Sequence, residues 1–173
     1  FNSNEIVKLI KKAEAKAAEV VVFPELAVTG YTCADLFGSS ILPAEALKAV
    51  HQIVKRTSSL DIVSIVGAPL LHGDCLYNAA FVISKGEILG IVPKTYHTNY
   101  REYYDKRWFS VPSRETKKIL IGENEVPFGT QLLFDCGNDL VFGVESCEDL
   151  WTTIPPSSFQ ALAGATACFN LSA

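Results

Sequence analysis

The stretch VFGVESCEDLW, residues 141–151, ends a run of small and apolar residues in a thiol flanked by carboxylates. Such a short apolar run reads as a strand buried on both faces. Two more runs end the same way: EVVVFPEL (19–26) delivers Glu25 after Phe-Pro, and GEILGIVPK (86–94) delivers Lys94. Strands of this kind, separated by helical patterns, predict an α/β protein. In such folds ligands gather outside the carboxyl ends of strands, which singles out Glu25, Lys94 and Cys147.

Working outward, residues 6–19 carry Ile6, Leu9, Ile10, Ala13 and Ala17 at helical spacing, with Asn4 or Ser3 as a cap. A second helix is predicted over 44–57 after Pro43, and DIVSIVGAPL (61–70) reads as a buried strand. CLYNAAFVISKGEILGIVPK (75–94) predicts a hairpin turning at Lys85-Gly86, and QLLFDCGNDLVFGVES (131–146) another around Gly137-Asn138. Residues 95–118 have no clear period and form a long loop, perforce ordered by its aromatic content: Tyr96, Tyr100, Tyr103, Tyr104, Trp108 and Phe109. SSFQALAGA (157–165) predicts a helix and TACFNLSA (166–173) a final strand.

Composition narrows the function classes. A chain of 173 residues, 49% hydrophobic and 20% charged, suits one domain with a real core. Its net charge of -4, with no clustered lysines and arginines, argues against nucleic acid as a partner. No apolar run approaches the roughly 20 residues that span a bilayer, and no secretory signal opens the chain, so the expected compartment is the cytoplasm. The five cysteines include no C-x-x-C pair and suit free thiols, while three scattered histidines argue against a His-built metal site. The chain begins at Phe1 and contains no methionine, which points to a fragment of a longer sequence.

A carboxylate, an ammonium and a thiol on three strand ends make a coherent chemical set. The thiolate is the nucleophile, and a nearby lysine would lower the thiol pKa from roughly 8.5. The glutamate can take the thiol proton and pass it to a leaving amine, while the lysine stabilises an oxyanion. That logic implies attack on an amide or nitrile carbon. Taken singly, each residue has a plainer reading: Glu25 and Lys94 as solvated strand ends, Cys147 as a small buried hydrophobe. Glu148 and Asp149 beside the thiol would raise its pKa unless they face elsewhere.

The segments VVFPELAVTGY, IVPKTY and GVESCEDLW, present in order, resemble the three signature segments of the nitrilase or carbon-nitrogen hydrolase superfamily. That resemblance implies an αββα four-layer sandwich and a Glu-Lys-Cys triad that cleaves non-peptide carbon-nitrogen bonds. PKTYHTNYREYYDKRWF, CEDLW, PPSS, ALAGA and NLSA narrow the likeness to the N-terminal glutaminase domains of the glutamine-dependent NAD+ synthetases. By that resemblance Glu25 is the general base, Lys94 the oxyanion-binding lysine and Cys147 the nucleophile that forms a glutamyl thioester. Glu102, eight residues after Lys94, falls where the superfamily often has a further catalytic or structural glutamate.

The same resemblance assigns Glu148 to the substrate α-ammonium, and Tyr31, Tyr100 and Tyr103 to the walls of the glutamine pocket. Asp149 and Trp151 are left to structure. Glutamine is the expected substrate, and the glutaminase step requires no cofactor or metal. ATP and Mg2+ would belong to a C-terminal synthetase domain, which is absent from this chain and would use the ammonia to amidate nicotinic acid adenine dinucleotide. Residues 1–173 are then a partial hydrolase domain with an incomplete sandwich, lacking its first strand. A homo-oligomer is the default expectation for the superfamily. The alternatives are another carbon-nitrogen hydrolase (an ω-amidase, carbamoylase or aliphatic amidase), or a non-catalytic module with a degenerate site.

Overall fold

The N-terminal periodicity becomes α1 (Asn2–Glu14), whose buried face is Ile6, Val7 and Ile10, in a computed structural model that describes residues 1–137 and 139–173. The helix ends five positions short of the predicted Glu19. Ala17 turns left-handed at φ 57° and the Ala18 N–H returns to the Ala13 carbonyl, a closing geometry that stops helices. α2 (Ile41–Arg56) starts earlier than the residue after Pro43, because proline is tolerated in a first turn where its missing N–H has no partner to lose. Both helices lie on one face of a six-stranded sheet, where Ile10, Val50 and Ile53 join Val66, Ala68, Phe81 and Ile91 in the largest core cluster. Full burial of each such branched side chain contributes about 1.5–3 kcal/mol.

That sheet runs in the order β1-β2-β3-β4-β6-β5, with β1 (Val20–Val22), β2 (Val63–His72), β3 (Cys75–Ser84), β4 (Glu87–Pro93), β5 (Lys117–Ile121) and β6 (Asn124–Phe128). β1 pairs parallel with β2, and two antiparallel steps through β3 then bring β4 back to the β1 direction. The carboxyl ends of β1 and β4 therefore open at the same end of the sheet. The hairpin at Lys85-Gly86 has the expected pair of positive φ angles, 49° and 83°. The β5/β6 hairpin, turning at Gly122, lies in a stretch for which the sequence reading offered no strand.

A second sheet holds β7 (Leu133–Asp135), β8 (Val141–Ser146) and β9 (Ala167–Leu171), with β8 central. β7 and β8 pair antiparallel as predicted, though Asn138 of their turn lies outside the described residues. The two sheets pack face to face through Ile65, Ala80, Val82 and Val92 of the first and Phe134, Phe142, Val144 and Leu171 of the second. α3 (Pro156–Leu162) covers the far face, its buried Gln160 donating to the carbonyls of Thr130 and Val144. Gln160 sits so tightly on Gly143 that a Cβ there would overlap its side-chain amide. The layers are thus helix, sheet, sheet, helix.

One expectation is corrected in detail. β1 is only three residues long and half-buried, not a strand buried on both faces, because Pro24 has no N–H to extend the ladder and the chain turns at Leu26, φ 53°.

Candidate active site

The turn after β1 sets Glu25. The N–H of Phe23 and that of Val28 donate to the Ile65 and Gly67 carbonyls, laying the turn on β2. Gly67 makes this possible: a Cβ there would stand 2.5 Å from the Leu26 nitrogen and 2.7 Å from the Pro24 oxygen. Glu25 is consequently 2% exposed. Lys94 follows β4, its N–H donating to the Asn78 carbonyl at 2.8 Å, and it is 1% exposed.

The two meet at the shared end of the sheet. Lys94 Nζ donates to Glu25 Oε1 at 2.6 Å and to Asp105 Oδ2 at 2.9 Å, and Asn78 Nδ2 donates to the same Glu25 oxygen at 2.7 Å. Glu25 Oε2 is buried with no partner among the described residues, which leaves it to accept a proton from whatever faces it. Cys147 lies near enough for the Glu25 charge to push its thiol pKa up.

Cys147 opens a short helical turn, Cys147–Trp151, directly after β8, with its backbone in the left-handed region at φ 45°. Such a conformation is uncommon for a residue with a side chain. The buried Asp149 braces that turn, accepting from the N–H groups of Ser146, Thr95 and Tyr96. It thereby ties the Cys147 turn to the segment that follows Lys94.

Charge is distributed unequally over these groups. Burial pushes the Glu25 carboxyl above its ordinary value, with Lys94 pulling the other way and Asp105 adding to the rise. Burial pulls the Lys94 ammonium down, but Glu25 and Asp105 outweigh it and hold Lys94 above the usual lysine value. Burial raises the Cys147 thiol and the Glu25 charge adds to it, against the opposing effect of Lys94. The expected depression of the thiol pKa by Lys94 is therefore not what this geometry produces, because burial and the Glu25 charge outweigh the lysine.

The predicted pocket residues divide. Glu148 accepts from Tyr100 Oη at 3.0 Å and from Thr98 Oγ1 at 3.5 Å, so its carboxylate is held in place one residue beyond Cys147. Tyr31 donates to Asp105 Oδ1 at 2.6 Å and stands edge-on to Tyr103, which in turn stands edge-on to Tyr100. The three tyrosines are thus one continuous wall.

Glu102 is not part of it. It is exposed and makes no hydrogen bond or ion pair among the described residues, while the acid that reaches Lys94 is Asp105, three residues further on and 1% exposed. The reason is local: Arg101 turns left-handed at φ 55°, and the chain then winds into a helical turn, Asp105–Arg107, that rotates Asp105 inward. The N–H of Asp105 donates to the Thr98 carbonyl, and its own carbonyl accepts from Phe109 and Trp108. Phe109 and Trp108 pack on Phe37, which fixes the loop's register. The missed signal was the aromatic pair three and four residues after an acid, which anchors that acid's turn on the core.

The family model described as Carbon-nitrogen hydrolase matches residues 2–170. The chain is 40% identical over 174 residues to the Glutamine-dependent NAD(+) synthetase of Mycobacterium tuberculosis (strain H37Rv), covering 99% of this chain and 26% of that protein. It is 30% identical over 181 residues to that of Rattus norvegicus, covering 99% and 25%. It spans about a quarter of the length of the curated relatives it matches. The crystal structure of a glutamine-dependent NAD(+) synthetase from Cytophaga hutchinsonii superposes with a TM-score of 0.86 at 29% identity, over 99% of this chain and 27% of that one. An amidase from Nesterenkonia sp. shares the fold at a TM-score of 0.73 and 16% identity, over 99% of this chain and 58% of the amidase.

Proposed function

The chain belongs to the carbon-nitrogen hydrolase family, and from that membership we propose that it is the glutamine-hydrolysing part of a glutamine-dependent NAD+ synthetase. The observation that supports this most is the conjunction of a buried Glu25-Lys94 pair facing Cys147 with an acid, Glu148, fixed one residue beyond the thiol. A hydrolase acting on neutral amides has no use for a positioned anion there. A substrate with an α-ammonium group does, since a charge-assisted hydrogen bond fixes both its identity and its orientation.

The reaction runs in two halves. Glu25 accepts the Cys147 thiol proton as sulfur attacks the carboxamide carbon of glutamine, and Lys94 donates to the oxygen that becomes negative. As the tetrahedral intermediate collapses, Glu25 returns the proton to the departing nitrogen; ammonia leaves and a glutamyl thioester remains. Water then attacks the thioester, giving its proton to Glu25. Collapse of the second intermediate releases glutamate, and the proton on Glu25 goes back to sulfur. Asp105 touches Lys94 and keeps the ammonium charged through both halves; Glu102 takes no part. No cofactor or metal enters this step.

The ammonia is consumed by ATP- and Mg2+-dependent amidation of nicotinic acid adenine dinucleotide, carried out by a synthetase region outside this chain, in the cytoplasm. No described helix is long and apolar enough to cross a membrane. Trp151 and Ile154, 76% and 54% exposed just after the nucleophile turn, favour a homo-oligomer that covers them.

The test is covalent labelling. The full natural chain, incubated with a diazoketone or chloroketone analogue of glutamine, should gain one adduct by intact mass. Glutamine should protect against it, and Cys147→Ala should abolish it. Hydrolysis of simple aliphatic amides in preference to glutamine would overturn the substrate assignment.

A further inference from the structure

The amide side chain of Asn170 grips both main-chain groups of Cys147. The Cys147 N–H donates to Asn170 Oδ1 at 3.0 Å, and Asn170 Nδ2 donates to the Cys147 carbonyl at 3.3 Å. The same Nδ2 donates to Glu145 Oε1 at 3.3 Å, and Ser172 Oγ donates to Asn170 Oδ1 at 2.8 Å. Glu145 is 2% exposed, and its other oxygen, Oε2, accepts from the Ser157 N–H at 3.0 Å in the first turn of α3. Glu145 and Asn170 are register partners on the parallel strands β8 and β9, so their side chains emerge on the same face. The result is one connected chain of hydrogen bonds from α3 through Glu145 and Asn170 to the backbone of Cys147.

That backbone is the one held at φ 45°. A left-handed residue with a side chain persists only where its surroundings over-determine it. Here a single side chain satisfies both the donor and the acceptor of the strained residue. Glu145 fixes which end of the amide is which: with its carboxylate and the Cys147 carbonyl on one side, only the NH2 group can face them, and only the oxygen can face the Cys147 N–H. No other uncharged side chain of this length offers both a donor pair and an acceptor.

We propose that Asn170, oriented by Glu145, is the positioning residue that holds the Cys147 peptide in its left-handed conformation and so aims the thiol at Glu25. The proposal rests on the reading of Cys147 as nucleophile. Neither residue touches substrate in that reading; each acts through the geometry of Cys147.

The experiment uses the full natural chain and measures the second-order rate of Cys147 alkylation by the chloroketone analogue of glutamine, alongside kcat and KM for glutamine. Asn170→Asp sets an anionic oxygen against the Cys147 carbonyl and the Glu145 carboxylate. Its alkylation rate and kcat should both fall by roughly 100-fold, the scale expected for a misplaced reacting group, while KM changes by less than about threefold. Glu145→Gln in the same protein supplies an NH2 group for Asp at 170 and keeps an oxygen for the Ser157 N–H. The double variant should therefore recover at least roughly tenfold over Asn170→Asp. Asn170→Ala serves if Asn170→Asp does not fold, with the same split between kcat and KM expected. Alkylation of the single variants within twofold of wild type, or no recovery in the double variant, would overturn the positioning role. Absence of alkylation in the folded wild type would instead overturn the nucleophile reading on which it stands.

Discussion

Replacing Asp105 with asparagine removes one charge from a buried cluster without changing its size. The cluster holds Glu25 and Asp105 against a single Lys94, at 2.6 and 2.9 Å, all at or below 2% exposure. Asp105→Asn leaves Lys94 paired with Glu25, so the cost lies at the lower end for breaking a buried pair, about 3 kcal/mol of stability. Two kinetic effects follow. Lys94 loses one of its two anchors and its ammonium is aimed less well at the developing oxyanion, which should lower kcat by roughly 100-fold. Second, the Asp105 charge helps to hold the Glu25 carboxyl up, so its removal lowers the Glu25 pKa. Since Glu25 must be ionised to accept the thiol proton, the acid limb of the kcat/KM profile should move to lower pH. The assay is glutamate release from glutamine across pH, beside an urea melt, with Glu102→Gln as the control expected to match wild type within twofold. Activity of Asp105→Asn within a few-fold of wild type, with an unmoved acid limb, would refute the reasoning.

Glu148→Gln should raise KM for glutamine by roughly 30-fold, about 2 kcal/mol, with kcat little changed, because it removes the charge proposed to pair with the α-ammonium but leaves Glu25, Lys94 and Cys147 intact; steady-state kinetics would check the split. Asp149 gives a stability test with a definite sign. Burial lifts it from 3.8 to about 6 despite the N–H donors around it, so the folded state holds its proton more tightly than the unfolded state. That contribution is full below the unfolded pKa and is lost as pH rises through about 6, so wild type should lose up to about 3 kcal/mol relative to Asp149→Asn between pH 4 and pH 7 in denaturant melts. A gap that moves in wild type's favour with rising pH would contradict this. Gly67→Ala should cost about 1–3 kcal/mol and depress activity further, since a methyl group 2.5 Å from the Leu26 nitrogen must push the Glu25 turn off β2; a thermal melt and a rate measurement read the two effects separately.

The strand ends that carry the chemistry were legible because the signal is compositional and local. A β-branched or small apolar run stops at Pro24-Glu25, at Pro93-Lys94 and at Ser146-Cys147; strand direction brings the first two to one end of the first sheet, and the packing of the second sheet on it adds the third. The hairpin at Lys85-Gly86 was legible for a similar reason, since turn chemistry is a property of two residues. Loop geometry was not. Glu102 and Asp105 are both acids in an aromatic segment, and which of them turns inward depends on Arg101 adopting a left-handed backbone and on Trp108 and Phe109 docking on Phe37. Those are tertiary facts, invisible to spacing. The β5/β6 hairpin escaped because the charged residues Lys117, Lys118, Glu123 and Glu125 around it mask the buried alternation of Ile119, Ile121, Val126 and Phe128. The thiol pKa escaped for an energetic reason: Lys94 neighbours Cys147 as expected, but burial and the Glu25 charge outweigh the lysine.

The central claim is that Cys147 carries the glutamyl group between two proton transfers through Glu25. Its most direct test is rapid quenching of the full natural chain with glutamine, followed by intact mass and peptide mapping. The account predicts a transient glutamyl adduct on the Cys147 peptide, cleaved by hydroxylamine, formed more slowly in Glu25→Gln and absent in Cys147→Ala. Glutamate released at the wild-type rate by Cys147→Ala, or an adduct on any other residue, would contradict it.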